Sequence, residues 1–354
     1  MKKIMLVFGT RPDAVKMCPL AIELKKRECF DVKVCLTGQH REMLDSVMDT
    51  FGVSADYDLA VMREGQSLAD ITSKIIGGMT EVLKNDRPDI LLVHGDTSSA
   101  FSAALAAFYL GIPVGHVEAG LRTYDMSSPF PEEFNRRAVS LISTVDFAPT
   151  EAARDRLIAE GKSPERVFVT GNTVVDALKY TAVGEECDGK TVLLTAHRRE
   201  NIGAAMDNIF SAVRRIAEKY PDLKIVYPMH PNPAIRESAE RALGKAENID
   251  LCEPLELKEF HSLLARSFLV MTDSGGIQEE AAALGKPCLV LRDTTERRES
   301  ESLILVGTRE DDIVAEFERL ITDKEYYDSI KNAPNPYGDG KASERIADII
   351  EQNI

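Results

Sequence analysis

The chain has 354 residues, 29% of them charged and 44% hydrophobic, with a formal net charge of −15. That length holds about two domains, each with its own core, and the acidic balance disfavours a nucleic-acid or anionic-membrane partner, because counterion release needs a basic face. No stretch approaches the roughly 20 apolar residues of a membrane span, and no His-Glu-x-x-His, Gly-x-x-x-x-Gly-Lys or Gly-x-Ser-x-Gly motif supports a metalloprotease, NTPase or hydrolase reading.

The opening "MKKIMLVFGT" has a basic start, but its apolar run is short and leads into "RPD". It predicts a first strand, not a signal peptide, and a cytoplasmic protein. Further apolar runs follow at 32–36, 90–94, 113–117, 166–170, 191–195, 223–228, 268–272 and 287–291, and helical patterns at 14–27, 97–110, 204–219 and 309–321 lie between them. Continuous apolar strands alternating with helices predict an α/β protein with parallel sheets wound by helices. A break near "TGNTVVDAL" (170–178) divides the chain into two Rossmann-like domains, 1–169 and 170–339, with a last helix at about 340–354 that could pack on either. Six scattered cysteines (18, 29, 35, 187, 252, 288) form no Cys-x-x-Cys pair and read as reduced core thiols.

In open α/β sheets, ligands bind beyond the carboxyl ends of the strands, so the residues just after each apolar run are the candidates. The first strand leads to "FGTRPDAVK" (8–16) with no Gly-x-Gly-x-x-Gly, which gives little support to a dinucleotide site. Arg11 and Lys16 beside a helix start make either an anion site or a solvated face. Asp96 in "HGDTSSA" (94–100) is either a helix cap or a reactive carboxylate. Glu118 in "HVEAGLRT" (116–123) stands at an adjacent strand end, and two carboxylates so placed are harder to dismiss as caps. Glu132 and Glu133 open a helix, where the macrodipole alone would favour them.

In the second half, His197 follows a buried strand with two arginines after it, and His230 in "YPMHPNPAIR" (227–236) repeats the pattern. "TDSGGIQEE" (272–280) places Ser274, Gly275 and Gly276 at a helix start, where backbone N–H groups suit a diphosphate. An acid one turn later suits ribose hydroxyls. "DTTERRE" (293–299) adds Arg297 at the next strand end, and "DYD" (56–58) reads as a strand-edge turn rather than a metal site.

Together, "FGTRPDAVKM", "GQHREMLD", "LLVHGDTSS", "VGHVEAGLRT", "PFPEEFNRR", "TGNTVVDAL", "TAHRREN", "TDSGGIQEEAAALGKP", "RDTTER" and "NPYGDGKASERI" resemble, in order and across nearly the whole chain, the non-hydrolysing UDP-N-acetylglucosamine 2-epimerases. The resemblance implies a GT-B-like fold, two Rossmann-like domains facing across a cleft, with the last helix returning to the first. It implies reversible conversion of UDP-N-acetylglucosamine to UDP-N-acetylmannosamine without NAD or metal, in a homodimer that supplies surface polysaccharide synthesis. By similarity, Asp96, Glu118, Glu132 and His197 serve catalysis, while Arg11, Lys16, Ser274, Gly275, Gly276, Glu280 and Arg297 bind the nucleotide. Phe260 is then a uracil neighbour, or on local pattern a helix core residue. The chain departs from the family where Arg298 replaces a proline, and where "QHRE" (39–42) and "GQ" (65–66) keep only part of an effector-site set. A GT-B glycosyltransferase, a hydrolysing epimerase and a UDP-sugar sensor are the competing readings.

Overall fold

The computed structural model describes residues 1–38, 41–63, 65–182, 187–198, 201–295, 297 and 299–353. Gln39 and His40 of the effector set and Arg298 of the altered loop lie outside them. The described residues form two compact units, Met1–Tyr180 with Tyr337–Ile354, and Thr181–Pro336.

The first unit opens with β1 (Lys2–Phe8), whose residues from Ile4 to Phe8 are at most 1% exposed. An uninterrupted apolar run of this kind fits a strand covered on both faces. There follow α1 (Arg11–Lys25), β2 (Phe30–Leu36), α2 (Arg41–Phe51), β3 (Tyr57–Asp58), α3 (Leu68–Asn85), β4 (Ile90–His94), α4 (Ser98–Tyr109), β5 (Val114–Val117), α5 (Glu132–Ile142), β6 (Val145–Ala148), α6 (Glu151–Ala159), β7 (Val167–Val169) and α7 (Thr173–Thr181). The sheet runs β3-β2-β1-β4-β5-β6-β7, with every pairing parallel. One of its faces is sealed by α3 and α4, where Ile75, Met79, Ala103 and Ala107 meet Val7 and Val93.

The second unit comprises β8 (Thr191–Thr195), α8 (Ala204–Lys219), β9 (Lys224–Pro228), α9 (Pro233–Leu243), β10 (Ile249–Cys252), α10 (Leu257–Arg266), β11 (Leu269–Thr272), α11 (Gly275–Ala283), β12 (Cys288–Val290), β13 (Leu303–Leu305), α12 (Glu310–Thr322) and α13 (Lys324–Lys331). Its all-parallel order, β10-β9-β8-β11-β12-β13, repeats that of the first six strands of the other sheet. Met206, Ile209, Phe210, Val213 and Ile216 of α8 enter the main core on one face, a gross contribution of roughly 8–15 kcal/mol at about 1.5–3 kcal/mol each. A smaller cluster under α10 and α11 seals the other face.

In both sheets the chain reverses winding direction between two central strands, β1 and β4 in one, β8 and β11 in the other. Crevices at the carboxyl ends of such strands are where α/β sheets bind ligands. The closing helix α14 (Ala342–Asn353) belongs to the first unit. It buries Ile346, Ala347 and Ile350 completely. Arg27, just past the end of α1, reaches its Asp348 at 2.7 Å and Glu351 at 2.9 Å.

Four described strands, β3, β6, β10 and β13, lie outside the apolar runs marked in the sequence. Each has only two to four residues. The cysteine expectation is also amended: Cys18, Cys35 and Cys288 are buried, but Cys187 is exposed. Burial pushes the Cys18 and Cys35 thiols up to about 12, so they stay protonated.

Candidate active site

In the first unit the candidate residues gather where β1, β4 and β5 end. Thr10 caps α1 by accepting from the Asp13 N–H at 3.3 Å, which sets Arg11 at the helix start, half-buried. Lys16, one turn further on and 5% exposed, does not face solvent; its ammonium meets Glu118 Oε2. The same carboxylate oxygen accepts from Asn172 Nδ2 at 2.7 Å, and His94 Nε2 lies 3.7 Å away. Glu118 has φ +63°, a left-handed conformation costing a non-glycine residue of order 1–3 kcal/mol and found disproportionately at functional sites.

Behind Glu118, His94 continues to a second acid, its Nδ1 3.6 Å from Asp13 Oδ1, and Asp13 also accepts from Thr97 Oγ1 at 3.3 Å. Thr97 is the residue that caps α4, accepting from the Ala100 N–H. Asp96 is therefore not a helix cap. Its Oδ2 accepts from Arg136 Nε at 2.9 Å and also meets Nη2 of the same guanidinium, while Asn135 Nδ2 donates to the Asp96 carbonyl at 2.9 Å. Two-pronged arginine–carboxylate pairs fix geometry as well as charge. Glu132 is the first residue of α5 and half-buried. Its neighbour Glu133 is fully buried and structural, accepting from the Thr123 and Tyr124 N–H groups at 3.0 Å each.

In the second unit nearly every residue of "TDSGGIQEE" has a separate task. Asp273, fully buried, does not cap α11. It accepts from the His197 N–H at 2.9 Å, the Arg198 N–H at 2.9 Å and Asn201 Nδ2 at 3.0 Å, and so ties the loop after β8 to the end of β11. Ser274 is the N-cap residue of α11, with its hydroxyl making no capping bond. A Cβ on Gly275 would lie 2.6 Å from Arg297 Nη1, so the guanidinium passes directly over this glycine. Glu279 holds Arg297 Nε at 2.8 Å, and Gln278 Oε1 accepts from Thr295 Oγ1 at 2.9 Å in the same segment. Arg297 thus reinforces the positive end of a helix that begins with Gly275 and Gly276. Glu280 is 8% exposed, with Oε1 3.6 Å from His261 Nε2.

The His197 ring stacks on His230, centroids 5.5 Å apart and planes 16° from parallel. Burial, and then the neighbouring His197, hold the His230 imidazole below its ordinary value, which leaves it neutral near pH 7. Phe260 is half-buried against the small core under α10. Among the described residues no three His, Cys, Asp or Glu side chains form a group that could hold a metal ion. No described helix is long and apolar enough to cross a membrane.

Asp13, His94, Arg136 and Asn172 in the first unit, and Asp273, Glu279 and His261 in the second, were not among the residues singled out from sequence. Asp273 carried a usable signal, since it ends an apolar strand inside a motif already marked. Asn172 carried none; its contact with Glu118 spans 54 positions.

Two Rossmann-type sheets, one with acids at its switch point and one with an arginine-reinforced helix end there, define an α/β protein of the nucleotide-binding class. The family model described as UDP-N-acetylglucosamine 2-epimerase matches residues 22–351. A UDP-N-acetylglucosamine 2-epimerase of Bacillus subtilis (strain 168) is 50% identical over 362 residues, which span 98% of this chain and 94% of the relative. The crystal structure of UDP-GlcNAc 2-epimerase from Neisseria meningitidis bound to UDP-GlcNAc has a TM-score of 0.95 at 47% identity, covering 99% of this chain and 100% of that one. That of the Methanocaldococcus jannaschii UDP-GlcNAc 2-epimerase in complex with UDP-GlcNAc and UDP has a TM-score of 0.86 at 32% identity, with 99% and 100% covered. The chain belongs to the UDP-N-acetylglucosamine 2-epimerase family, a family of isomerases.

Proposed function

We propose that the protein interconverts UDP-N-acetylglucosamine and UDP-N-acetylmannosamine by eliminating UDP and adding it back. The observation that carries this reading is the pair Asp96 and Glu118 at the ends of neighbouring strands, each carboxylate met by a cation, Arg136 and Lys16. The C2 proton of the sugar is not adjacent to a carbonyl and is a very weak acid. Its removal becomes feasible when the C1–O bond breaks in the same event, because oxocarbenium character at C1 acidifies C2. A base and a leaving-group clamp must therefore act together.

In the forward half, a carboxylate takes the C2 proton, the C–H electrons form the C1–C2 double bond, and the C1–O electrons leave with UDP. The intermediate is 2-acetamidoglucal. In the return half, C2 takes a proton on the opposite face while a diphosphate oxygen of UDP re-forms the bond to C1. Neither half transfers a hydride, so this route needs no nicotinamide. Two faces of C2 call for two proton carriers, for which Asp96, Glu118 and Glu132 are the candidates, with His197 assisting at the diphosphate or in proton transfer. Ser274, Gly275, Gly276 and Arg297 are assigned to the diphosphate, with Arg11 and Lys16 as further cations. Glu280 is assigned to the ribose and Phe260 to the uracil. On the same family resemblance, the enzyme is a cytoplasmic homodimer feeding N-acetylmannosamine units to surface polysaccharide synthesis.

Incubation with UDP-N-acetylglucosamine in deuterated water, without added NAD or metal, should give a mixture of both UDP-sugars deuterated at C2. Free N-acetylmannosamine with stoichiometric UDP would mean hydrolysis, and epimerisation without deuterium at C2 would exclude elimination. Asp96→Asn is expected to lower exchange by about 100-fold or more, in the range for losing a positioned acid or base, while UDP still binds.

A further inference from the structure

We propose that His261 is a positioning residue for Glu280 and through it sets how strongly the enzyme demands a ribose rather than a deoxyribose nucleotide. This inference rests on the assignment of Glu280 to the ribose.

Glu280 is the sixth residue of α11, about 7.5 Å along the axis from the helix start. That suits a group contacting the sugar of a nucleotide whose diphosphate lies at the helix end. Its carboxylate is nearly buried, and its Oε2 makes no hydrogen bond to the described residues. An ionised carboxylate so enclosed is costly unless something orients and compensates it. The group facing it is His261, which lies on α10 with no exposed surface.

The position of the imidazole is itself determined. His261 Nδ1 lies 2.5 Å from Thr181 Oγ1, and Nε2 lies 3.6 Å from Glu280 Oε1. A neutral imidazole has one donor and one acceptor nitrogen. With the threonine hydroxyl donating to Nδ1, the Nε2–H faces the carboxylate. The other tautomer would aim the Nε2 lone pair at an anion and is disfavoured. Thr181, His261 and Glu280 then form one directed chain, in which the buried histidine steadies Oε1 and leaves Oε2 to accept from the ribose hydroxyls. An apolar core position would be served by leucine or phenylalanine, as at the adjoining Leu263 and Leu264 of the same helix. A fully buried ring anchored at Nδ1 by Thr181, with Nε2 turned to Glu280 3.6 Å away, points to the carboxylate instead.

The test is calorimetric titration of wild type, His261→Phe and His261→Gln with UDP and with 2′-deoxy-UDP. Wild type should prefer UDP by about 10- to 100-fold, the range for a hydrogen bond to a charged acceptor. In His261→Phe the preference should fall to within about threefold, through weaker UDP binding with 2′-deoxy-UDP binding unchanged. His261→Gln, which keeps an N–H donor, should recover part of it. Thr181→Val, which removes the hydroxyl anchor and leaves the ring in place, should also weaken the preference and serves if the phenylalanine variant does not fold. A wild-type preference retained in His261→Phe or in Thr181→Val overturns the proposal alone, as does an equal loss for both nucleotides. No preference in wild type overturns the ribose assignment of Glu280 and this inference with it.

Discussion

A carboxylate at a strand end can cap the helix that follows or hold a neighbouring loop, and Asp273 does the second. Because it accepts from the backbone of His197 and Arg198 and from Asn201, Asp273→Asn removes one acceptor oxygen and sets an amide N–H₂ against other donors. A cost of about 2 kcal/mol in urea unfolding is expected, together with a fall in epimerisation of about 100-fold as His197 loses its placement; an unchanged turnover would show that this loop does not serve the reaction. At Gly275 a side chain would act against both stability and binding. Alanine is the better helix former by about 1 kcal/mol, yet its Cβ would sit 2.6 Å from Arg297 Nη1. That guanidinium cannot swing away cheaply, since Glu279 holds Nε at 2.8 Å. Gly275→Ala should therefore lower Tm and weaken UDP at least about 10-fold, the scale of one charge-assisted bond, as read by thermal melting and calorimetry.

At the scale of elements, the strands legible in the sequence were those lying in continuous apolar runs, long and covered on both faces in β1, β4 and β8, but only three residues each in β7 and β12. The four that were not legible are short, and β6 carries a fully buried aspartate, Asp146, in a run of four. Ser143 Oγ, at 2.7 Å, is local, but the cationic and imidazole partners, Lys162 Nζ at 3.2 Å and His116 Nδ1 at 3.7 Å, come from other segments, so the local pattern does not announce that a charge can lie there. The candidate site was legible to the same extent: strand-end position singles out Asp96, Glu118 and His197 as candidates, but the residues that orient them come from other elements. Asp176 of α7 shows what such a distant partner does for an element. Its two oxygens accept from the N–H groups of Ala342 at 3.1 Å and Ser343 at 2.8 Å, at the start of α14. Burial nonetheless pushes its carboxyl above the ordinary value of 3.8. With the folded value raised, the linked stabilisation is fully present below the unfolded value and lost as pH rises through the folded one. Asp176→Ala is expected to cost about 1–2 kcal/mol near pH 7 through the lost cap, and the gap to wild type should widen as pH falls toward 4. Urea titrations at several pH values test this; a gap that narrows on acidification would contradict the stated sign.

For the whole molecule, the two units differ in how the chain builds them: the second is a single continuous segment, whereas the first is completed only by the last residues, Tyr337–Ile354. Those residues do more than cover α1. The Tyr337 carbonyl accepts from the Asn172 N–H at 2.8 Å, and the Asn172 side chain donates to Glu118 Oε2 at 2.7 Å. The end of the chain thus bears on a candidate catalytic carboxylate through one residue. Deleting 342–354 would expose the faces that Ile346 and Ile350 cover, a loss of roughly 3–6 kcal/mol at about 1.5–3 kcal/mol per side chain. For a unit of this size that corresponds to a fall in Tm of about 6–24 °C. The second unit contains none of the deleted residues, so its own contacts are intact. Calorimetry of the truncated chain should therefore show the first unit melting early and the remaining transition near its original temperature, with epimerisation lost before UDP binding is. A scan that superimposes on that of the full-length chain would mean that α14 adds nothing to the first unit, against the complete burial of its apolar face.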